Sequence, residues 1–245
     1  MLKEAIEKIV AMTKPEILSL EGRNYAVGTD GAVHEIKHKY DHPNAISLHS
    51  LDALVKMIKS EGMERWGYPL YVAVQTHENV VCFGQPTGEE SGFVRVNFYS
   101  AEATDVPGWG EKTVMGFEEA IIALQTRFQH SIDTEYALKL LSEITSGSKV
   151  TYNDNGIAQT VVTQKGIAMQ GVDKIKPILE LRPYRTFQEI EQPASKFLIR
   201  VNERGITFIE ADGGMWKMAA RKTIAEHLEK ALETEIEAGR IVVML

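Results

Sequence analysis

The sequence predicts an α+β fold of antiparallel β hairpins and meanders with several amphipathic helices, closing on a helix and a strand. Three observations predict it. Apolar residues alternate through Leu70, Val72 and Val74, and again through Phe197, Ile199 and Val201, which is the period of a half-buried strand. Apolar stripes at helical spacing run through Leu51, Leu54, Val55 and Ile58, and through Phe117, Ile121, Leu124 and Phe128. Tight turn pairs, Asn155-Gly156 and Arg204-Gly205, punctuate apolar runs in the manner of hairpin turns.

The elements follow in order. Leu2, Ile6, Ile9 and Val10 share a helical face, so a helix is expected over residues 2–12, ended before Pro15. Short strands are expected at Ile17–Leu20, Asn24–Gly28 and Ala32–Lys37, the last two joined by Thr29-Asp30-Gly31. His38 to His49 reads as a loop around Pro43. Ser50 is placed to cap the next helix, and Gly62 to end it. Residues 69–100 read as a meander with turns at His77-Glu78-Asn79 and through Gly84–Gly92. Residues 101–115, with Pro107, Gly108 and Gly110, read as a loop. A helical hairpin follows: the Phe117 stripe, then Tyr136, Leu140, Leu141 and Ile144, opened by Asp133 and closed by Gly147. Strands are expected at Lys149–Tyr152, Gln159–Gln164, Lys176–Leu181, Phe197–Val201 and Ile206–Glu210. A last helix runs from Met215 to Ala238, Gly239 ends it, and Ile241–Leu245 forms an apolar strand. The Ser146-Gly147-Ser148 break divides an N-terminal α+β subdomain, 1–146, from a C-terminal β-rich subdomain, 147–245, that carries the terminal helix and strand.

Charge and cysteine usage bound the function. The formal net charge of −7 argues against a protein whose business is coating duplex nucleic acid, because phosphate contacts need a basic surface. The single cysteine, Cys82, lies in an apolar run and reads as a small buried hydrophobe; a chain with no internal disulfide fits the cytoplasm. The N-terminal stretch lacks the apolar core of a signal peptide, and no window has the apolar length of a membrane span. There is no nucleophile elbow and no phosphate-binding loop. Asp212, before Gly213-Gly214, reads as a helix cap rather than an anion cradle.

Four groups carry chemistry. His34, His38 and His42, with Asp41 beside them, have metal-ligand character, against a plain reading as a polar strand end. Arg182, Tyr184, Arg185 and Arg200 mix cations with an aromatic, as a ligand pocket or a single-strand nucleic-acid groove would; interleaved Glu180, Glu189, Glu191, Glu203 and Glu210 offer ion pairing instead. Trp109 is either an interface anchor or the cap of a core edge. The apolar strand Ile241, Val242, Val243 and Leu245 must be covered, inside its own sheet or across a subunit interface.

The run PYRTFQEIEQPASKFLIRV from Pro183 to Val201, followed by EADGGMW at Glu210–Trp216, resembles the YfdQ-like family of tailed-phage and prophage proteins. The likeness covers roughly the C-terminal half. It implies action in the cytoplasm of an infected cell and carries no catalytic residues. The function expected is that of a non-enzymatic phage or prophage accessory protein, self-assembling into a homo-oligomer and binding a phage or host partner or a ligand, in phage DNA metabolism or counter-defence. The alternatives are a metal-dependent hydrolase using His34–His42 and a single-strand nucleic-acid binder. No cofactor and no membrane partner are expected.

Overall fold

In a computed structural model, the placement of residues 3–4, 16–20, 23–28, 31–36, 44–62, 69–89, 92–146, 149–154, 159–165 and 168–245 is described. Helices separate runs of strands along the chain, most strands pair antiparallel, and the α+β class is as expected.

Alternating residues in β5 (Leu70–Val74), β6 (Asn79–Phe83) and β9 (Asn97–Glu102) build an antiparallel meander. Leu70, Val72, Val74, Val80 and Cys82 face a first core. Two strands extend the sheet in parallel: β4 (Ile46–Leu48) on β9, and β17 (Ile241–Met244) on β5. Helix α1 (Leu51–Met57) lays Leu51, Leu54 and Val55 on this sheet and runs into a turn of π-helix, Ile58–Gly62. Ser50 caps it as expected, its hydroxyl accepting from Ala53 N at 3.1 Å. Glu189 adds a carboxylate that accepts from Leu51 N at 2.7 Å, where the helix dipole favours negative charge.

A second, wholly antiparallel sheet has the order β10-β16-β15-β14, with β10 at Lys112–Met115, β16 at Gly205–Glu210, β15 at Ser195–Asn202 and β14 at Ile178–Leu181. Phe197, Ile199 and Val201 alternate inward, as the sequence pattern requires. The helical hairpin α2 (Phe117–Thr126) and α3 (Ile132–Ser146) covers that face with Ala120, Leu124, Leu140, Leu141 and Ile144. Asp133 lies inside α3; the hydroxyl of Ser131 accepts from Thr134 N and opens the helix. Asp133 instead binds Lys176 Nζ at 2.7 Å and Glu180 N at 2.7 Å, tying α3 to β14. Burial opposes ionisation of Asp133, but those two bonds hold its carboxyl below the usual range.

Helix α4 (Met215–Ala231) leaves the second sheet and packs Ile224, Ala225 and Leu228 into the first core. A short helix, α5 (Glu233–Glu237), completes the path to β17, so the expected single helix breaks at Leu232. Gly239, at φ 68°, closes α5 with paired bonds, Gly239 N to Ile236 O and Arg240 N to Glu235 O, both 2.9 Å. The two cores therefore draw on both sides of the Ser146 break: α2 and α3 sit with the later sheet, while α4 and β17 return to the earlier one.

Three small sheets complete the described fold. Strands β1 (Glu16–Leu20), β2 (Arg23–Val27) and β3 (Val33–Ile36) form close to where strands are expected; β2 and β3 pair as expected, and β1 adds to β2. Strands β11 (Lys149–Asp154) and β12 (Gln159–Lys165) pair as expected, and β13 (Ala168–Lys174) joins them without a sequence forecast. Strands β7 (Thr87–Glu89) and β8 (Gly92–Val94) form a hairpin where a plain turn was expected. Likewise β10 lies in the expected loop, because pairing to β16 supplies what its own weak alternation lacks. The helix expected over 2–12 is described only at Lys3 and Glu4, and the rest of it lies outside the described residues, as does Asn155-Gly156.

Gly205 opens β16 at φ 149°, and a Cβ there would sit 2.1 Å from Met115 O. Both the backbone conformation and the space exclude a side chain. Gly205→Ala is expected to destabilise the fold by more than about 2 kcal/mol in urea titration, whereas Gly116→Ala, where a Cβ meets open space, stays within about 1 kcal/mol.

Candidate interaction site

The Arg182–Arg185 corner lies in the connection from β14 to β15. It is organised by Gln192, a buried amide that uses both ends. Its Oε1 accepts from Arg185 N at 3.0 Å and Thr186 N at 3.3 Å, while its Nε2 donates to Phe187 O at 2.9 Å and Ile190 O at 3.4 Å. This folds the connection so that Phe187 and Ile190 enter the first core, away from the sheet that the connection belongs to. The Thr186 hydroxyl donates to His77 O, fastening the same segment to the β5–β6 turn.

Arg185 is only 2% exposed. Its Nη1 donates to Glu210 Oε1, and its guanidinium carbon lies 3.5 Å from the centroid of the Trp216 ring. His77 meets the same ring edge-on at 4.6 Å. Burial pushes the Arg185 guanidinium down from its ordinary value, against the pull of Glu210 and Asp212. Asp212 does not cap α4: it accepts from Gly214 N at 3.0 Å and from the Ser195 hydroxyl, holding the turn before the helix. Arg182 pairs with Glu191, and its backbone oxygen accepts from Gln129 N. Tyr184 N donates to Arg127 O at 2.9 Å, so this backbone runs against the α2–α3 connection. Arg200 lies on the opposite face of β15 from Phe197, Ile199 and Val201, and donates to Ile199 O at 3.2 Å. The four residues expected to form one binding groove are thus dispersed. Arg185 is a buried clamp, and the interleaved glutamates take Arg182 and Arg185 as partners.

Trp109 packs edge-on against Phe128 at 4.6 Å and Phe208 at 5.7 Å. Half-buried there, it caps an edge of the second core, one of the two readings expected for it. Cys82 is fully buried, and burial pushes its thiol up to about 12, so it carries no thiolate at neutral pH. His34 is exposed on β3, and His38, Asp41 and His42 lie outside the described residues. No group of three metal-ligating side chains is present among the described residues.

The remaining expected site, Ile241–Leu245, is split by its own alternation. Ile241 is buried in the first core and Val243 packs against it, whereas Val242 and Leu245 are 42% and 56% exposed. Among the described residues, β17 is the outermost strand of its sheet. Leu70 N donates to Arg240 O at 2.9 Å, and Leu70 stands level with Ile241. The N–H and C=O of one strand residue point to the same side and alternate along the strand. Val242 and Met244 therefore direct theirs to β5, and Ile241 and Val243 direct theirs outward. A groove of about 860 Å³ runs beside this edge, floored by Ile236, Ile241, Val242 and Val243. Exposed Glu226, Glu229, Glu233 and Glu237 of α4 and α5 rim it, with Lys230. Sequence alternation signalled the strand; the acidic rim was missed because it depends on how α5 folds back over β17.

No protein-family model, curated protein or solved structure matches the chain. No helix among the described residues is long and apolar enough to cross a membrane.

Removing Glu210 leaves the Arg185 charge buried without its partner, so Glu210→Ala is expected to cost about 3–5 kcal/mol in urea titration. The paired change Arg185→Met with Glu210→Met recovers most of that loss; additive losses would show that the two residues act independently. A second expectation concerns pH. Burial holds the His77 imidazole below its ordinary 6.5, aided by Lys217 and Arg185 and opposed by Glu78. The unfolded chain then binds more protons than the folded one just below pH 6.5, so stability falls as pH drops through that region. In urea titrations between about pH 7 and pH 5.5, His77→Phe flattens that part of the decline.

Proposed function

We propose that the chain is a non-enzymatic accessory protein that acts by protein–protein association, with β17 as its partner-binding edge. The observation that supports this most directly is the outward backbone of Ile241 and Val243 beside a groove with an apolar floor. Such an edge accepts an added strand, main-chain hydrogen bonds giving affinity and side-chain positions giving choice.

Self-assembly has a separate physical basis. The three-stranded sheet β1–β3 leaves Ile17, Leu18, Leu20, Val33 and Ile36 exposed. Leu18 and Leu20 share a face, and the pairing register places Val33 on it through Val27 and Tyr25. A second copy laid over the Leu18–Leu20–Val33 face would remove that apolar area from solvent. The resemblance of Pro183–Trp216 to the YfdQ-like family supports a phage or prophage setting in the host cytoplasm, in DNA metabolism or counter-defence.

Light scattering on the purified chain tests the assembly half of the reading. The expected mass exceeds the 27.4 kDa of one chain, and Leu18→Glu with Val33→Glu returns it to that value. A single-chain mass for the unaltered protein at micromolar concentration removes self-assembly from the reading.

A further inference from the structure

We propose that the occupant of the β17 groove is a basic, extended segment of a different protein, which adds to the sheet as a further outer strand. The inference rests on the reading of β17 as an association edge and supplies the chemistry of the partner.

The charge of the groove selects among occupants. Glu226, Glu229, Glu233 and Glu237 line it, and Lys230 is the one cation among its lining residues. The spacing of these residues sets them along one side of α4 and α5, above the apolar floor. A strand laid on Ile241–Met244 would run beneath that row. Its side chains alternate between the two faces of the sheet, so one set reaches the carboxylates on the helical side while the other lies beside Val242 on the opposite face. An alternation of β-branched apolar residues with lysine or arginine matches both surfaces.

A second copy fits the same groove poorly. Two β17 strands joined antiparallel across a two-fold axis place both helical rows on one face of the continuous sheet. Each acidic row would then face the other, and like charges brought together oppose pairing. An acidic segment meets the same repulsion. The groove thus disfavours self-pairing while its backbone groups remain available to a cationic strand.

The test uses the full chain and labelled, capped peptides of about eight residues, long enough to span the strand. One alternates lysine with valine, and the other alternates glutamate with valine. Fluorescence anisotropy is expected to show the lysine peptide binding at least about ten-fold tighter, with affinity falling as salt rises. Hydrogen exchange is expected to slow at the Ile241 and Val243 amides when that peptide is present. Glu229→Lys with Glu233→Lys, both at exposed positions, is expected to reverse the preference. Val243→Pro removes an outward N–H while leaving the bonds to β5, and is expected to abolish binding of either peptide; its melting temperature reports whether the fold is kept.

The outcomes separate the two levels of the reading. Equal or tighter binding of the glutamate peptide, lost in Val243→Pro, overturns the basic partner and leaves the edge intact. A self-associated form that Val243→Pro dissolves also overturns it, in favour of a second copy. Absence of binding by both peptides, with unchanged exchange at Ile241 and Val243, overturns the association edge and this inference with it.

Discussion

The buried guanidinium of Arg185 is the constraint on which the two halves of the fold depend. It cannot lie in an apolar interior uncompensated, so Glu210 at the end of β16 and the ring of Trp216 at the start of α4 must both reach it. Those residues flank the turn at Asp212–Gly214, which launches α4 away from the second sheet. One ion pair and one cation–π contact therefore join the Asp212 turn in setting where the C-terminal helix begins, and its packing into the first core fixes the rest. Gln192 performs the complementary task on the other side, shaping the connection so that Phe187 and Ile190 face the first core. Thr186, between them, binds His77 O in the first sheet's turn. A short run of chain thus touches both cores and the route between them.

This arrangement has a consequence for cooperativity. The first core is incomplete until α4 and β17, the last elements of the chain, return to it. Its earlier strands lack cover over part of their apolar face before then. The second core forms from elements closer in sequence, β10 through β16, and its contacts ask for less loop closure. The physical expectation is that the second core is the earlier to consolidate. The first is then completed when α4 docks, with the Arg185 clamp fixing the direction from which it arrives.

Much of the fold was legible because alternation and turn chemistry act locally. Phe197, Ile199 and Val201 had to face one way, Ser50 had an amide within reach to accept from, and Gly239 was the residue able to adopt φ 68° at the end of α5. What stayed hidden was pairing over distance. β10 carries little alternation of its own and exists because β16 hydrogen-bonds it. Arg185 looked like a surface cation because nothing in its neighbourhood of sequence names Glu210, among several glutamates, as its partner. Gln192 and Glu189 gave no signal at all: a glutamine that satisfies a connection's backbone and a glutamate that caps a helix far earlier in the chain have the composition of ordinary surface residues. Apolar composition marks Ile241–Met244 as a strand, but periodicity does not say that half its backbone points outward.

The acidic row beside β17 is best understood as the protection of that same edge. An open strand with an apolar groove is a template for indiscriminate pairing, and folded proteins limit this with charge near the edge. Here the charge does not sit on β17, whose residues are all apolar, but on the helices above it. Carboxylates in that position leave the strand's hydrogen-bonding groups unblocked and act only on what a visiting strand brings alongside. Lysines placed on the strand itself would have deterred every partner. Glutamates placed over it instead set a negative field, which opposes acidic segments and favours cationic ones. Under the proposed reading, one physical device would both keep the edge from self-pairing and favour a positively charged partner.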